Sequence, residues 1–236
     1  MSRRLLTSCL ALLLLATGAA VSGRAMTVST GGQTFAIPAG SAPTLDGRMM
    51  PDEWGAGLRL PFSDGGELRL LESDGALCLG IGENFEGLTT TSVFLERDGV
   101  VSILHVSGSL GTARYAQAGD RWALVQPFVW GLYGVTTQSA TAQNVRQAHF
   151  TRNGWLANLG SMTTTQEIEV KVVLAAGTYR LAIAYLCPAD WSRAALCPME
   201  VSDDTGNGLL LRANAPDSMT LHFEPQTWMT LEVPGA

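Results

Sequence analysis

Charge is scarce in this chain: Asp, Glu, Lys and Arg make up 15% of its 236 residues. With 21 acidic against 15 basic residues the formal net charge is −6, a balance that disfavours nucleic acid and anionic membranes as partners. Long apolar runs are missing beyond the first residues, so no later segment has the length that a membrane span requires. Catalytic motifs are missing too. The chain has no Gly-x-Ser-x-Gly, no His-Glu-x-x-His and no phosphate loop, and Ser107-Gly108-Ser109-Leu110-Gly111 lacks the nucleophile spacing and reads as a turn or bulge. No Cys-x-x-Cys occurs and no histidine lies near a cysteine, which removes the common zinc patterns and leaves no metal-ligand set to name. A glycosidase needs two carboxylates across a cleft, and nothing in the sequence singles out a pair.

What the chain does have begins with Arg3 and Arg4, an apolar run from Leu10 to Leu15, and small residues at Gly18, Ala20, Ser22 and Ala25. This pattern predicts a signal peptide over residues 1–25 and a secreted or periplasmic product without membrane insertion. Cys9 precedes the apolar run instead of following it, so lipidation is rejected. Removing three arginines and no acids takes the formal charge from −6 to −9. Residues 26–236 are then expected to form one domain. Cys187 and Cys197 are disulfide candidates for an oxidising compartment, worth about 2–3 kcal/mol if bridged, which leaves Cys78 as a buried small hydrophobe.

From residue 58 onward short apolar or alternating runs are broken by Gly, Asn and Asp, the mark of an all-β, antiparallel β-sandwich with jelly-roll or immunoglobulin-like layering. The predicted strands are Leu58–Phe62, Glu67–Glu72, Ala76–Gly82, Ser92–Glu96, Val100–Val106, Arg121–Gln126, Val145–Thr151, Thr165–Leu174, Thr178–Leu186, Leu209–Arg212, Met219–Glu224 and Trp228–Val233. No amphipathic helix of ordinary length stands out. Arg97-Asp98-Gly99 predicts one hairpin, and Ala175-Ala176-Gly177 predicts another in which Glu167, Glu169 and Lys171 face water. Residues 187–208 form the longest irregular insertion, expected to cap one end of the sandwich.

Within Pro43 to Trp54 an apolar step leads into the turn pair Asp46-Gly47, then Pro51-Asp52-Glu53 and a tryptophan. Gly47 accepts positive φ, Pro51 suits the first position of a helical turn, and Trp54 reads as a core anchor. The stretch resembles the opening of the family 9 carbohydrate-binding modules and their wider DOMON-like β-sandwich relatives, with Asp46, Gly47 and Trp54 as the shared motif. That resemblance implies a sandwich that binds a poly- or oligosaccharide without cutting it, and a possible structural calcium; Asp98, Asp203 and Asp204 are only generic ligands for one. The family's sugar-clamping positions do not transfer to this chain.

Sugar faces stack on aromatic rings beside polar side chains, so aromatics near turns are the candidate ligand-binding residues: Trp130, Tyr133, Trp155 and Trp191. Trp54, Trp122 and Trp228 are assigned to the core. His105, His149 and His222 fall in separate predicted strands; His222 reads as solvent-facing, while His105 and His149 could meet in space. The alternatives to a secreted carbohydrate-binding module are a structural or cell-envelope interaction sandwich with no small ligand, a haem-holding relative of the same class, and a hydrolase built on an unforeseen cluster.

Overall fold

The computed structural model describes residues 25–85, 89–134, 139–160, 167–187, 190–205 and 220–235, the side chains of 190–193 and 220 excepted. The expected signal peptide, apart from Ala25, and the expected strand Leu209–Arg212 lie outside the described residues.

Two antiparallel sheets face each other. The larger runs in the order β14 (Thr220–Leu221), β9 (Arg121–Tyr133), β8 (Ser109–Ala118), β7 (Val100–Val106), β6 (Thr90–Arg97), β12 (Gly177–Cys187), β15 (Met229–Val233), β1 (Thr27–Thr30) and β2 (Gln33–Ala36), with β13 (Asp190–Cys197) also on β12. The smaller runs β10 (Trp155–Leu159), β11 (Glu167–Val173), β5 (Ala76–Gly82), β4 (Glu67–Ser73) and β3 (Leu58–Pro61). The alternation explains the layers. Leu68, Leu70, Leu77, Leu79 and Ile81 of the small sheet meet Val93, Leu95, Leu104, Leu181 and Ile183 of the large one in the inter-sheet core. At roughly 1.5–3 kcal/mol per fully buried aliphatic side chain, this layer is the main stabilising term.

Each sheet is also covered on its outer face. Over the large sheet, Val201, Phe223 and Trp228 pack on Phe94, Val101, Ile103, Tyr115 and Trp122, joined by Leu221 of the edge strand β14. Trp122 Nε1 donates to the carbonyl of Phe223 at 2.9 Å, which ties the covering segment to β9. Over the small sheet, Met49 and Trp54 close on Leu71 and Cys78. β5 is therefore buried on both faces, which is why it reads as an almost unbroken apolar run.

Asp98 and Gly99 take φ of 53° and 76° between β6 and β7, the left-handed pair that a two-residue hairpin demands, and Glu96 Oε1 accepts the Gly99 N–H at 2.8 Å. The second expected hairpin is not formed. β11 pairs with β10 and β5 in the small sheet, whereas β12 pairs with β6, β15 and β13 in the large one, so the chain between them passes from sheet to sheet. The expected strand Val145–Thr151 is instead part of helix α2 (Ala140–Asn153), capped by the Ser139 hydroxyl and ended by Gly154 at φ 70°. Its buried residues are Arg146 and His149, so no apolar stripe announces it. Within the expected irregular insertion, β13 adds an eight-residue strand.

The disulfide is another correction. Cys197 stands opposite Ile183 on β12, four residues from Cys187. At about 3.3 Å per residue that offset is about 13 Å, well beyond the roughly 7 Å that a bridge tolerates between Cα atoms. Cys78, Cys187 and Cys197 are all free and buried.

Candidate functional site

The Asp46-Gly47 to Trp54 segment is built onto the outer face of the small sheet by one carboxylate. Glu169 Oε2 accepts the N–H groups of Asp46 and Gly47 at 2.8 and 2.7 Å, and its Oε1 accepts Trp54 Nε1 at 2.8 Å. Glu167 accepts the Met49 N–H at 2.9 Å, and Asn158, cross-strand partner of Glu169, donates to the Leu45 carbonyl at 2.9 Å. Glu169 is thus fully buried instead of facing water as its alternation suggested. Burial pushes its pKa above the ordinary carboxylate value, against the pull of its three donors. Gly80, opposite Glu169 on β5, leaves room for the Trp54 ring: a Cβ there would sit 3.1 Å from Trp54 Cε3. Gly47 combines φ 84° with backbone contact against Leu159 and Gly160, where a Cβ would meet main-chain atoms at 2.3 Å. Pro51 opens the short helix α1 (Pro51–Trp54). This motif is an anchor for the fold.

The four aromatic candidates are not brought together. Trp130 is half-buried, stacked on Phe128 with centroids 5.8 Å apart and lying over Gly111. Tyr133 is 70% exposed and lines a groove of about 240 Å³ with Thr141 and Val145 of α2. Trp155 is 2% exposed, with Nε1 donating to Thr112 Oγ1 at 3.2 Å, so it offers no open stacking face. Trp191 belongs to β13 by its backbone, and its side chain lies outside the described residues.

A cavity that no motif announced opens elsewhere. The small sheet is narrower than the large one, and the inner face of β7, β8 and β9 beyond its edge carries polar residues where the core phase calls for apolar ones. Ser102 stands opposite Arg114, and Arg114 opposite Gln126, in one cross-strand row. Helix α2, which joins β9 to β10, closes the side with His149, Arg152 and Asn153. The space they line opens to solvent and measures about 520 Å³, within the range of small-ligand sites. Trp155 and Tyr179 contribute rings to it, and Thr112, Gln126 and Asn153 contribute hydrogen-bonding groups. Arg97 reaches the Tyr179 hydroxyl at 2.7 Å. His149 packs edge-on to Trp155 with centroids 5.6 Å apart, and burial holds its pKa below the usual imidazole value.

Other titratable groups are committed to the fold. Glu83 is 3% exposed; Thr91 Oγ1 donates to it at 2.5 Å and Thr89 Oγ1 donates to its other oxygen. Burial raises its pKa to about 7. Asp64, its acidic neighbour, accepts the Tyr185 hydroxyl at 2.6 Å. Asp203 accepts from Trp228 Nε1 at 2.6 Å and from the N–H groups of Glu224 and Thr205 at 2.9 and 2.7 Å, and Asp204 accepts the His222 N–H at 2.7 Å. Asp98 pairs at the surface with Arg97. Among the described residues no cluster of three or more His, Cys, Asp or Glu is placed to hold a metal. His105 and His149 do not meet: His105 bonds Ser92 and touches Phe128 and Trp130 on the outer face of the large sheet, while His149 lies against the inner face at Gly131. His222 is exposed and bonded to Glu224.

Comparison with family models, curated proteins and solved structures gives no match. Among the described residues no helix is long and apolar enough to cross a membrane.

Proposed function

We propose that this protein is an exported, non-catalytic carbohydrate-binding sandwich whose ligand occupies the cavity between the overhanging face of the large sheet and α2. The observation that carries the reading is the lining: the hydrogen-bonding groups of Thr112, Gln126 and Asn153 with arginine side chains, over a floor to which the buried Trp155 and Tyr179 contribute, in about 520 Å³. Sugar hydroxyls suit such a set of amide, hydroxyl and guanidinium groups, and the apolar C–H faces suit the aliphatic lining of Leu95, Leu104 and Val129. The opening motif resembles that of sugar-binding sandwiches, which supports the class though the motif itself is spent on packing. No carboxylate lines the cavity, so the acid and base of a glycosidase have no residues there.

Calorimetric titration of the purified protein with soluble gluco-, xylo- and uronate oligosaccharides tests this. Saturable binding, weakened by Gln126→Ala and Asn153→Ala, is expected. No heat from any sugar would overturn it and favour the second reading, an interaction sandwich, for which the exposed Val125, Val129 and Tyr133 of β9 supply an apolar strip.

A further inference from the structure

The cavity has a charge opposite to that of the chain. The whole protein carries 21 acids against 15 bases, yet three of those bases, Arg97, Arg114 and Arg152, line this one space together with His149 and without an acid. Arg97 is partly answered by Asp98 at 3.2 Å. Among the described residues Arg114 and Arg152 have no ion-pair partner. His149 contributes to the wall, with its Nε2 buried and without a hydrogen-bond partner among the described residues.

From this we infer that the ligand is an acidic sugar, a uronate whose ring carboxylate is received by the guanidinium groups of Arg114 and Arg152. The inference rests on the carbohydrate reading and narrows it. Arginine presents a planar fork of N–H donors that matches the two oxygens of a carboxylate, and a concave wall of one sign concentrates the opposite charge from solution. The three cations are held by different elements. Arg97 ends β6, Arg114 lies inside β8 and Arg152 belongs to the last turn of α2. A helix C-terminus alone explains Arg152, which complements the dipole there, but gives no reason for Arg114 at an inward-facing position of a strand. A charged side chain at that phase is costly unless it faces water or an anion, and the cavity supplies both.

The test uses four probes at low salt: trigalacturonate, its fully methyl-esterified and therefore neutral form, a sulfated galactose trimer and xylotriose. Three variants accompany the wild type: Arg114→Gln, Arg152→Gln and, as a control for bulk charge, Arg121→Gln at the exposed start of β9. Thermal midpoints confirm that all three fold. Binding of trigalacturonate, about tenfold weaker for its ester, lost by about tenfold in each cavity variant, unchanged in Arg121→Gln and declining with added salt, is the expected result. Equal binding of ester and acid, or equal loss in Arg121→Gln, overturns the inference and leaves the sugar reading standing. Preference for the sulfated trimer over the uronate overturns the carboxylate assignment. Silence from all four probes overturns both readings.

Discussion

Replacing Glu169 with leucine should be among the most damaging single changes in the small sheet. Leucine has a similar volume and no acceptor, so the packing of Trp54 over Gly80 is kept while three donors lose their partner. The Asp46 N–H lies at an exposed residue and can turn to water, but the Gly47 N–H and Trp54 Nε1 are bonded inside the structure. A buried donor left without a partner costs about 1–3 kcal/mol, so two of them set a gross loss of about 2–6 kcal/mol. Removing the carboxylate also removes the cost of burying it, visible in its raised pKa, and that offsets part of the loss. A net loss of about 3 kcal/mol is expected. In a domain of this size it would lower the melting temperature by about 6–12 °C.

Urea unfolding of the wild type, Glu169→Leu, Trp54→Phe and the double variant measures the coupling as well as the loss. Phenylalanine keeps most of the ring and removes only the indole donor, so the cycle isolates one charge-assisted hydrogen bond, with a coupling of about 1–2 kcal/mol. A loss below about 1 kcal/mol for Glu169→Leu, or a cycle that closes additively, would refute the claim that this carboxylate holds the motif on the sheet.

Two further outcomes follow from groups already described. Glu83 titrates near 7 in the fold against 4.5 in the reference state, so the folded protein holds a proton that the unfolded chain has released. Its contribution is therefore present below about pH 4.5 and is lost as pH rises to about 7, a decline of about 3 kcal/mol that Glu83→Gln should flatten in denaturant titrations across that window. If stability instead rises with pH there by the same amount in the wild type alone, the assignment fails. The thiols give the second outcome. Cys78 and Cys197 are pushed up to about 11 and 12 by burial and the Cys187 side chain is buried from solvent, so all three thiols should resist a reagent at pH 8 in the native state and all react after denaturation without reductant. A reagent count two thiols short would restore the Cys187–Cys197 bridge.

Much of the layering was legible because it depends on local alternation. β4 and β7 show their apolar phase directly, β5 shows its burial on both faces as an apolar run, and the Asp98-Gly99 pair specifies its own turn. Sheet membership was not legible. Ala175-Ala176-Gly177 looks the same whether the next strand folds back in one sheet or crosses to the other, and only the pairing of β11 with β5 decides it. Helix α2 stayed hidden because its inward residues are Arg146 and His149; the cues that remained were its ends, Ser139 and Asn153-Gly154. The motif was readable as an anchor, but its receptor was not, since Glu169 occupies a position that a solvent-facing strand residue would also fill. The cavity left a signal of its own kind: polar residues at core phase, Ser102, Thr112 and Arg114, on strands otherwise regular.

The two halves of the molecule now carry separable tasks. Glu169 and the Asp46-Gly47 turn secure the outer face of the small sheet, while Arg114, Arg152 and Gln126 look inward from the overhang of the large sheet and from α2. The connection between them is the small-sheet edge itself: β10 supplies Asn158 to the anchor on one face and Trp155 to the cavity on the other. Successive strand residues point to opposite faces, so Asn158 and Trp155, three apart, necessarily serve different sides. Loosening the anchor at Asn158 should thus lower stability first and reach the cavity only through the placement of β10. Replacing Arg114 should leave stability nearly untouched and act on the ligand alone. The unequal width of the sheets is what allows this division, because a fully covered large sheet would have buried Arg114 and left no space for the proposed anion.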